Sequence, residues 1–203
     1  MTAAIIILAI LGMLSPIIYT AMWIIGGIIV PEYSSLHKDV SSLMAVGAYK
    51  RRLFQSLMVV SSIFMLAFYC GIHWSVNNGE GSLVGPILFI ISSFMGLLLP
   101  LFFPLDEGGE PTTWRGKGHV ILVVLMGIIQ ITAMIFMYVR LRLVEGWQDF
   151  AIINLVSAIL ALVLVVIMSF FGGKKYMGLV ERIMVSEYQI YYFVTALLIL
   201  LKN

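Results

Sequence analysis

The chain is poor in charge and in cysteine. Charged residues are 11% of its 203 residues and the formal net charge is +2. An ordinary soluble domain carries about 25% charged residues, so a polar shell around one soluble core is excluded. So small a net charge, with no basic tail, leaves no electrostatic footprint for nucleic acid. One cysteine, Cys70, excludes any intrachain disulfide; in its apolar run it is a small buried or lipid-facing residue. The chain has no HExxH helix, no glycine-rich phosphate loop and no GxSxG elbow, so three hydrolytic and phosphoryl-transfer chemistries lack their signatures. His37, His73 and His119 are scattered and form no paired-histidine site. No cofactor and no metal is expected.

Apolar residues are what the chain has. They make up 62% of it, and the mean hydropathy is +1.08. Runs of about 20 apolar residues are long enough to cross the hydrocarbon core. Six can be drawn, over about 3–30, 51–73, 84–103, 118–140, 149–172 and 184–202. The runs are continuous and show no period-two alternation, which predicts helices and not a barrel. The fold class is therefore all-α, a polytopic integral membrane protein whose six transmembrane helices form one bundle over residues 1–203. The first run lacks a basic leader and passes well beyond the roughly 7–15 residues of a signal-peptide core, so it is expected to stay as a spanning helix, with Pro16 as a candidate kink.

The connections carry the polar residues. Pro31–Lys50 is expected to form a short interfacial helix or an ordered loop, with Leu36, Val40, Leu43 and Met44 on one face. Asn77, Asn78, Gly79 and Gly81 give the second connection turn chemistry. The first, third and fifth connections share one membrane face, here termed the odd face. It holds Lys38, Lys50, Arg51, Arg52, Arg115, Lys117, Lys174, Lys175 and Arg182, nine basic residues, against Arg140, Arg142 and Lys202 on the other. By the positive-inside rule the odd face is cytoplasmic and both termini are external. The expected location is the plasma membrane. Glu32, Asp39, Asp106, Glu107, Glu110, Glu181 and Glu187 lie on or near the same odd face, so its charge is mixed, as on a built polar surface.

Several residues are candidates for chemistry. His119 opens the fourth span and Gln130 follows eleven residues later, a rotation that returns to within about 20° of the same direction. A midplane amide is costly against lipid, so this face should look into the bundle and line a pocket. Asp106, where the third span ends, is placed to pair with His119 as acid and base. Asp106, Glu107 and Glu110 are weak divalent-cation candidates, without EF-hand spacing. Glu187 and Tyr191 are four residues apart on the sixth span, and Glu187 should seek a cation such as Arg182. Ser61, Ser62, Ser92 and Ser93, and on the fifth span Asn154 and Ser157, read first as helix-packing residues.

Short motifs then suggest kinship. They are Pro31, Tyr33, Ser34 and Leu36 leading to Val40–Ser41–Ser42–Leu43; Phe103–Pro104–Leu105–Asp106; the Gly118–His119 pair; and Gly178–Leu179–Val180–Glu181–Arg182–Ile183. In order and spacing, over nearly the whole chain, they resemble the prokaryotic membrane family known as domain of unknown function 998. The resemblance implies the six-helix fold and a site location but no reaction. Where the family usually has an aspartate after the serine matched by Ser41, this chain has Ser42, with Asp39 nearby. The expected function is binding of a lipid or other amphiphile in a polar-lined cleft at one membrane face, with Ser41, Gln130, Glu181, Arg182, Glu187 and Tyr191 as ligand-binding candidates. The alternative is a lipid-active hydrolase or transferase using Asp106 and His119. Membrane lipids are the expected partners.

Overall fold

A computed structural model describes residues 2–109 and 111–202; Glu110, one of the candidate acids, lies outside the described residues. The helices are α1 (Ala3–Ile29), α2 (Arg51–Ser75), α3 (Val84–Phe102), α4 (Trp114–Leu141), α5 (Gln148–Phe171) and α6 (Met177–Lys202), with three short 3₁₀ turns and, among the described residues, no strand. All six are long and apolar enough to cross a membrane, and the chain is a multi-pass membrane protein. Each helix packs on the next, and α6 returns to pack on α1. Connections this short make consecutive helices antiparallel, so the bundle is a closed ring. Ile128, Ile159, Val163 and their neighbours stay exposed on the outside, where lipid replaces water.

Two helices start earlier than the hydropathy pattern predicts. α4 begins at Trp114, because Thr113 caps it by accepting a hydrogen bond from Gly116 N at 3.3 Å. α6 begins at Met177, so Glu181 and Arg182 belong to a helix and not to a connection. Their polar groups are taken up by the first connection, described below. That connection is an ordered loop with a single 3₁₀ turn at Ser41–Met44. Val40, Leu43 and Met44 turn inward and are buried, whereas Leu36 is 47% exposed and does not share their face.

Small and polar residues set the helix contacts. Gly12 and Gly71 let α1 and α2 approach until Phe68 and Leu8 occupy the places of their missing Cβ atoms. Ser15 and Ser61 exchange hydroxyl-to-carbonyl bonds across this seam at 2.9 and 3.0 Å. Pro100 has no N–H to offer the Gly96 carbonyl one turn earlier; Ser62 Oγ donates to that carbonyl at 3.5 Å, and Gln55 donates to the Pro100 carbonyl. Ser92 Oγ donates to Met126 O at 3.3 Å, tying α3 to α4. Of these hydroxyls, Ser62 serves a carbonyl that the helix ladder leaves free, and the others tie neighbouring helices together.

The centre of the ring is aromatic with a few amides. Tyr69 stacks on Phe89 with centroids 4.6 Å apart, and Tyr192 meets it edge-on. Gln130 is 2% exposed and donates to Tyr69 Oη at 3.2 Å, so its amide faces the interior. On the even face, Arg140 donates to Glu80 O at 2.9 Å and to His73 O and Val76 O at 3.4 Å, closing the carbonyl end of α2. Lys202 donates to Gly146 O and pairs with Asp149 at 2.9 Å, fastening α6 to the start of α5.

Candidate functional site

The odd face is closed by the first connection, which is stitched to α6 on one side and to α4 on the other. Arg182 supplies the first seam. Its Nη1 donates to Ser35 O, Lys38 O and Gly178 O at 2.7–2.8 Å, and its Nη2 donates to Tyr33 Oη. The rings of Trp23 and Tyr33 lie 5.5 and 5.6 Å from the guanidinium, within cation–π range. Glu181 accepts from Val40 N at 2.8 Å. Gly178 rests against the Lys38 backbone with no room for a Cβ. Tyr33 Oη donates onward to Asp39 O at 2.7 Å; burial pushes this phenol up to about 12, against the opposing pull of Arg182.

The second seam is His119. Its Nδ1 is 2.7 Å from Phe103 O, and its Nε2 is 3.2 Å from Ser41 Oγ. A carbonyl only accepts, so Nδ1 carries the proton of the neutral ring and Nε2 is left as acceptor toward the Ser41 hydroxyl. Asp39 accepts from Ser42 N at 2.9 Å and from the Ser42 hydroxyl, shaping the turn that presents Ser41. Ser42 is thus held by Asp39 from three residues upstream.

Asp106 does not pair with His119. Its carboxylate accepts from Thr112 N, Thr112 Oγ1, Thr113 N and Thr113 Oγ1 at 2.6–3.1 Å. The bonds from Thr113, then those from Thr112, hold the carboxyl below its usual range. Asp106 is therefore the knot of the third connection, and Leu105 O accepts from Val46 N at 2.9 Å to bind that connection to the first. Among the described residues no group of acids, histidines and cysteines is arranged to hold a metal.

Glu187 makes no ion pair with Arg182, whose Nη1 and Nη2 are bound to carbonyls and Tyr33 and whose Nε is buried without a hydrogen-bond partner among the described residues. Glu187 instead lines a groove of about 680 Å³ between α5 and α6. Arg182 and Tyr191 line the same groove, whose other walls are largely Ile, Leu and Val. Tyr191 Oη donates to Asn154 Oδ1 at 2.7 Å and holds the two helices together behind it. Ser157 is the hydrogen-bonding neighbour of Glu187. Glu187 is 8% exposed, and its Oε2 is buried without a hydrogen-bond partner among the described residues.

The expected site residues therefore fall into three places. Ser41, His119, Glu181 and Arg182 meet in the odd-face cap, beside the Asp106 knot. Arg182, Glu187 and Tyr191 meet in the groove. Gln130 lies in the aromatic centre, and neither His119 nor Gln130 lines the groove. Sequence reasoning missed Tyr33, Thr112 and Thr113, and took Ser157 as packing alone. A signal existed for the last: Asn154 and Ser157 are three apart on α5 and share a face.

Fold and site define a six-helix multi-pass membrane protein with a polar cap on one face and a lipid-side groove that contains an acid. Its chain belongs to the family described as "Protein of unknown function (DUF998)", whose model matches residues 13–198. No curated protein and no solved structure matches the chain.

Proposed function

We propose that the protein binds a membrane amphiphile in the groove between α5 and α6. The observation that carries this reading is the groove itself: about 680 Å³, apolar along its walls, with Glu187 inside and Arg182 at one end. Ligand sites are concave, mostly apolar and furnished with a few polar groups. A buried carboxylate at membrane depth is a functional-site residue by default, because its burial is costly without a purpose. The groove is lined by Ile152, Val156 and Ile190, which are exposed on the outer surface of the bundle, so a ligand enters sideways from the bilayer. The odd-face cap is cytoplasmic on this reading, from the basic excess there, and the membrane is the plasma membrane. Native mass spectrometry of protein extracted in mild detergent tests the binding. A retained amphiphile that is lost when Val156→Trp fills the groove supports it; no retained amphiphile, or one that Val156→Trp leaves in place, overturns it.

A second reading rests on the Ser41–His119 contact. A hydroxyl 3.2 Å from an imidazole whose other nitrogen is held by a carbonyl has the geometry of a nucleophile and its base. In that reading Ser41 Oγ attacks an acyl carbonyl, its proton passes to His119 Nε2 and then to the leaving alcohol, and water releases the acyl group. Labelling by a fluorophosphonate that disappears in Ser41→Ala supports acyl transfer; an unlabelled wild-type protein reduces the contact to a structural tie.

A further inference from the structure

The groove has a chemistry of its own, and we propose, resting on the amphiphile-binding reading above, that its ligand is a lipophilic amine: an apolar body with one protonated N–H-bearing nitrogen that meets Glu187. Three observations converge on that class.

First, Glu187 is a buried acid with no ion-pair partner among the described residues. Arg182 is close along the helix and its Nε is buried without a hydrogen-bond partner among the described residues, but it makes no ion pair with Glu187: its Nη1 is bound to three carbonyls and its Nη2 to Tyr33 Oη, and two aromatic rings cover its charge. Lys202, the other cation of α6, is fifteen residues away, roughly 22 Å along the helix, and pairs with Asp149. The one salt bridge among the described residues is that of Lys202, so the protein supplies Glu187 with no cation.

Second, the missing interaction is a donor. Glu187 Oε2 is buried without a hydrogen-bond partner, while Ser157 serves the carboxylate from α5. A buried carboxylate oxygen gains most from an ionised N–H, which brings charge and proton together. A quaternary ammonium brings charge without a donor, an alcohol brings a donor without charge, and a fatty acid brings the wrong sign.

Third, the groove's dimensions suit one chain. From Arg182 to Val194 the lining extends twelve residues along α6, roughly 18 Å at 1.5 Å per residue. An apolar body about as long as one extended alkyl chain lies along these walls, and the groove stays open to the bilayer beside it, past the exposed Ile152, Val156 and Ile190. A phospholipid would have to carry its phosphate inward past Arg182 to bring a headgroup amine to Glu187. An amine attached directly to its apolar body reaches Glu187 without that burden.

The test uses the full-length protein in non-ionic detergent, read by native mass spectrometry against four probes of equal chain length: hexadecylamine, hexadecyltrimethylammonium, hexadecanol and hexadecanoate. Hexadecylamine is expected to be retained about tenfold or more over the other three, from one charge-assisted hydrogen bond. Glu187→Gln keeps shape and hydrogen bonding but removes charge, and should bring amine and alcohol to within about twofold. Thermal unfolding of Glu187→Gln reports whether it is folded; if it is not, Glu187→Asp, which keeps the charge and withdraws it by one methylene, should lower amine retention while leaving hexadecanol unchanged. Equal retention of all four probes by the wild type, or undiminished amine preference in Glu187→Gln or Glu187→Asp, overturns the amine assignment. Retention that is unaffected by Val156→Trp overturns the groove reading instead, so the two failures are distinguishable.

Discussion

Removing the Arg182 guanidinium should detach the cap from α6. Arg182→Met keeps much of the apolar stem and deletes the charge. The structure assigns the guanidinium three carbonyl acceptors, Ser35 O, Lys38 O and Gly178 O, and the Tyr33 hydroxyl. Two of those carbonyls and Tyr33 belong to the first connection, which is also linked to α6 through Glu181, Gly178 and the Leu36 carbonyl. Taking one partner out of a buried, hydrogen-bonded charge cluster costs about 3–5 kcal/mol. For a chain of this size that corresponds to a fall in melting temperature on the order of 10 °C. Arg182→Lys keeps a point charge without the planar fork, so it should recover only part of the loss. The readouts are thermal unfolding in detergent and the rate of tryptic cleavage at Lys38, Lys50, Arg51 and Arg52, which lie on the connection or at its junction with α2. Both should change together in Arg182→Met. An unchanged melting temperature with unchanged cleavage would refute the claim that this side chain closes the cap.

Further outcomes follow from the same contacts. Gln130→Leu and Tyr69→Phe should each destabilise the fold by roughly 0.6–2 kcal/mol, and the double variant should cost little more than either, because both remove one interhelical bond; thermal unfolding of the four proteins checks this. Asp106 is held below its usual carboxyl range by Thr113 and Thr112, so its contribution is complete above the ordinary value of 3.8 and is lost as pH falls through the lower folded value. Acid should therefore loosen the third connection below about pH 4, and Asp106→Asn should show the loosening at neutral pH, both read by proteolysis near Arg115 and Lys117. A phosphatase fused after Lys202 should be active and one inserted after Gly109 inactive, from the excess of basic residues on the odd face; the reverse pattern inverts the topology.

The spans were legible because an apolar run of that length has one stable solution in a bilayer, a helix. The ends of α4 and α6 were not. Hydropathy reads Glu181 and Arg182 as a connection, but their partners are Val40, Ser35 and Lys38, about 140 residues earlier, and only the folded chain shows that such a turn is helical. The inward face of Gln130 was legible from the cost of an amide at mid-membrane. The partner of Asp106 was misread because only His119 was considered and not Thr112 and Thr113, six and seven residues on. The nearer backbone donors took the carboxylate. Glu187 was recognised as an acid in need of a partner, but the rotation of α6 against α5, which aims it into a groove beside Ser157, depends on packing across the ring and leaves no local trace.

The central claim, that α5 and α6 enclose a ligand site around Glu187, is most directly tested by an experimental density map of the protein extracted with its own lipids. Elongated density is expected between the two helices, running past Val156 and Ile190, with one end within hydrogen-bond distance of Glu187. A map in which Glu187 instead pairs with a protein cation, or in which α5 and α6 close over an empty seam, would contradict it.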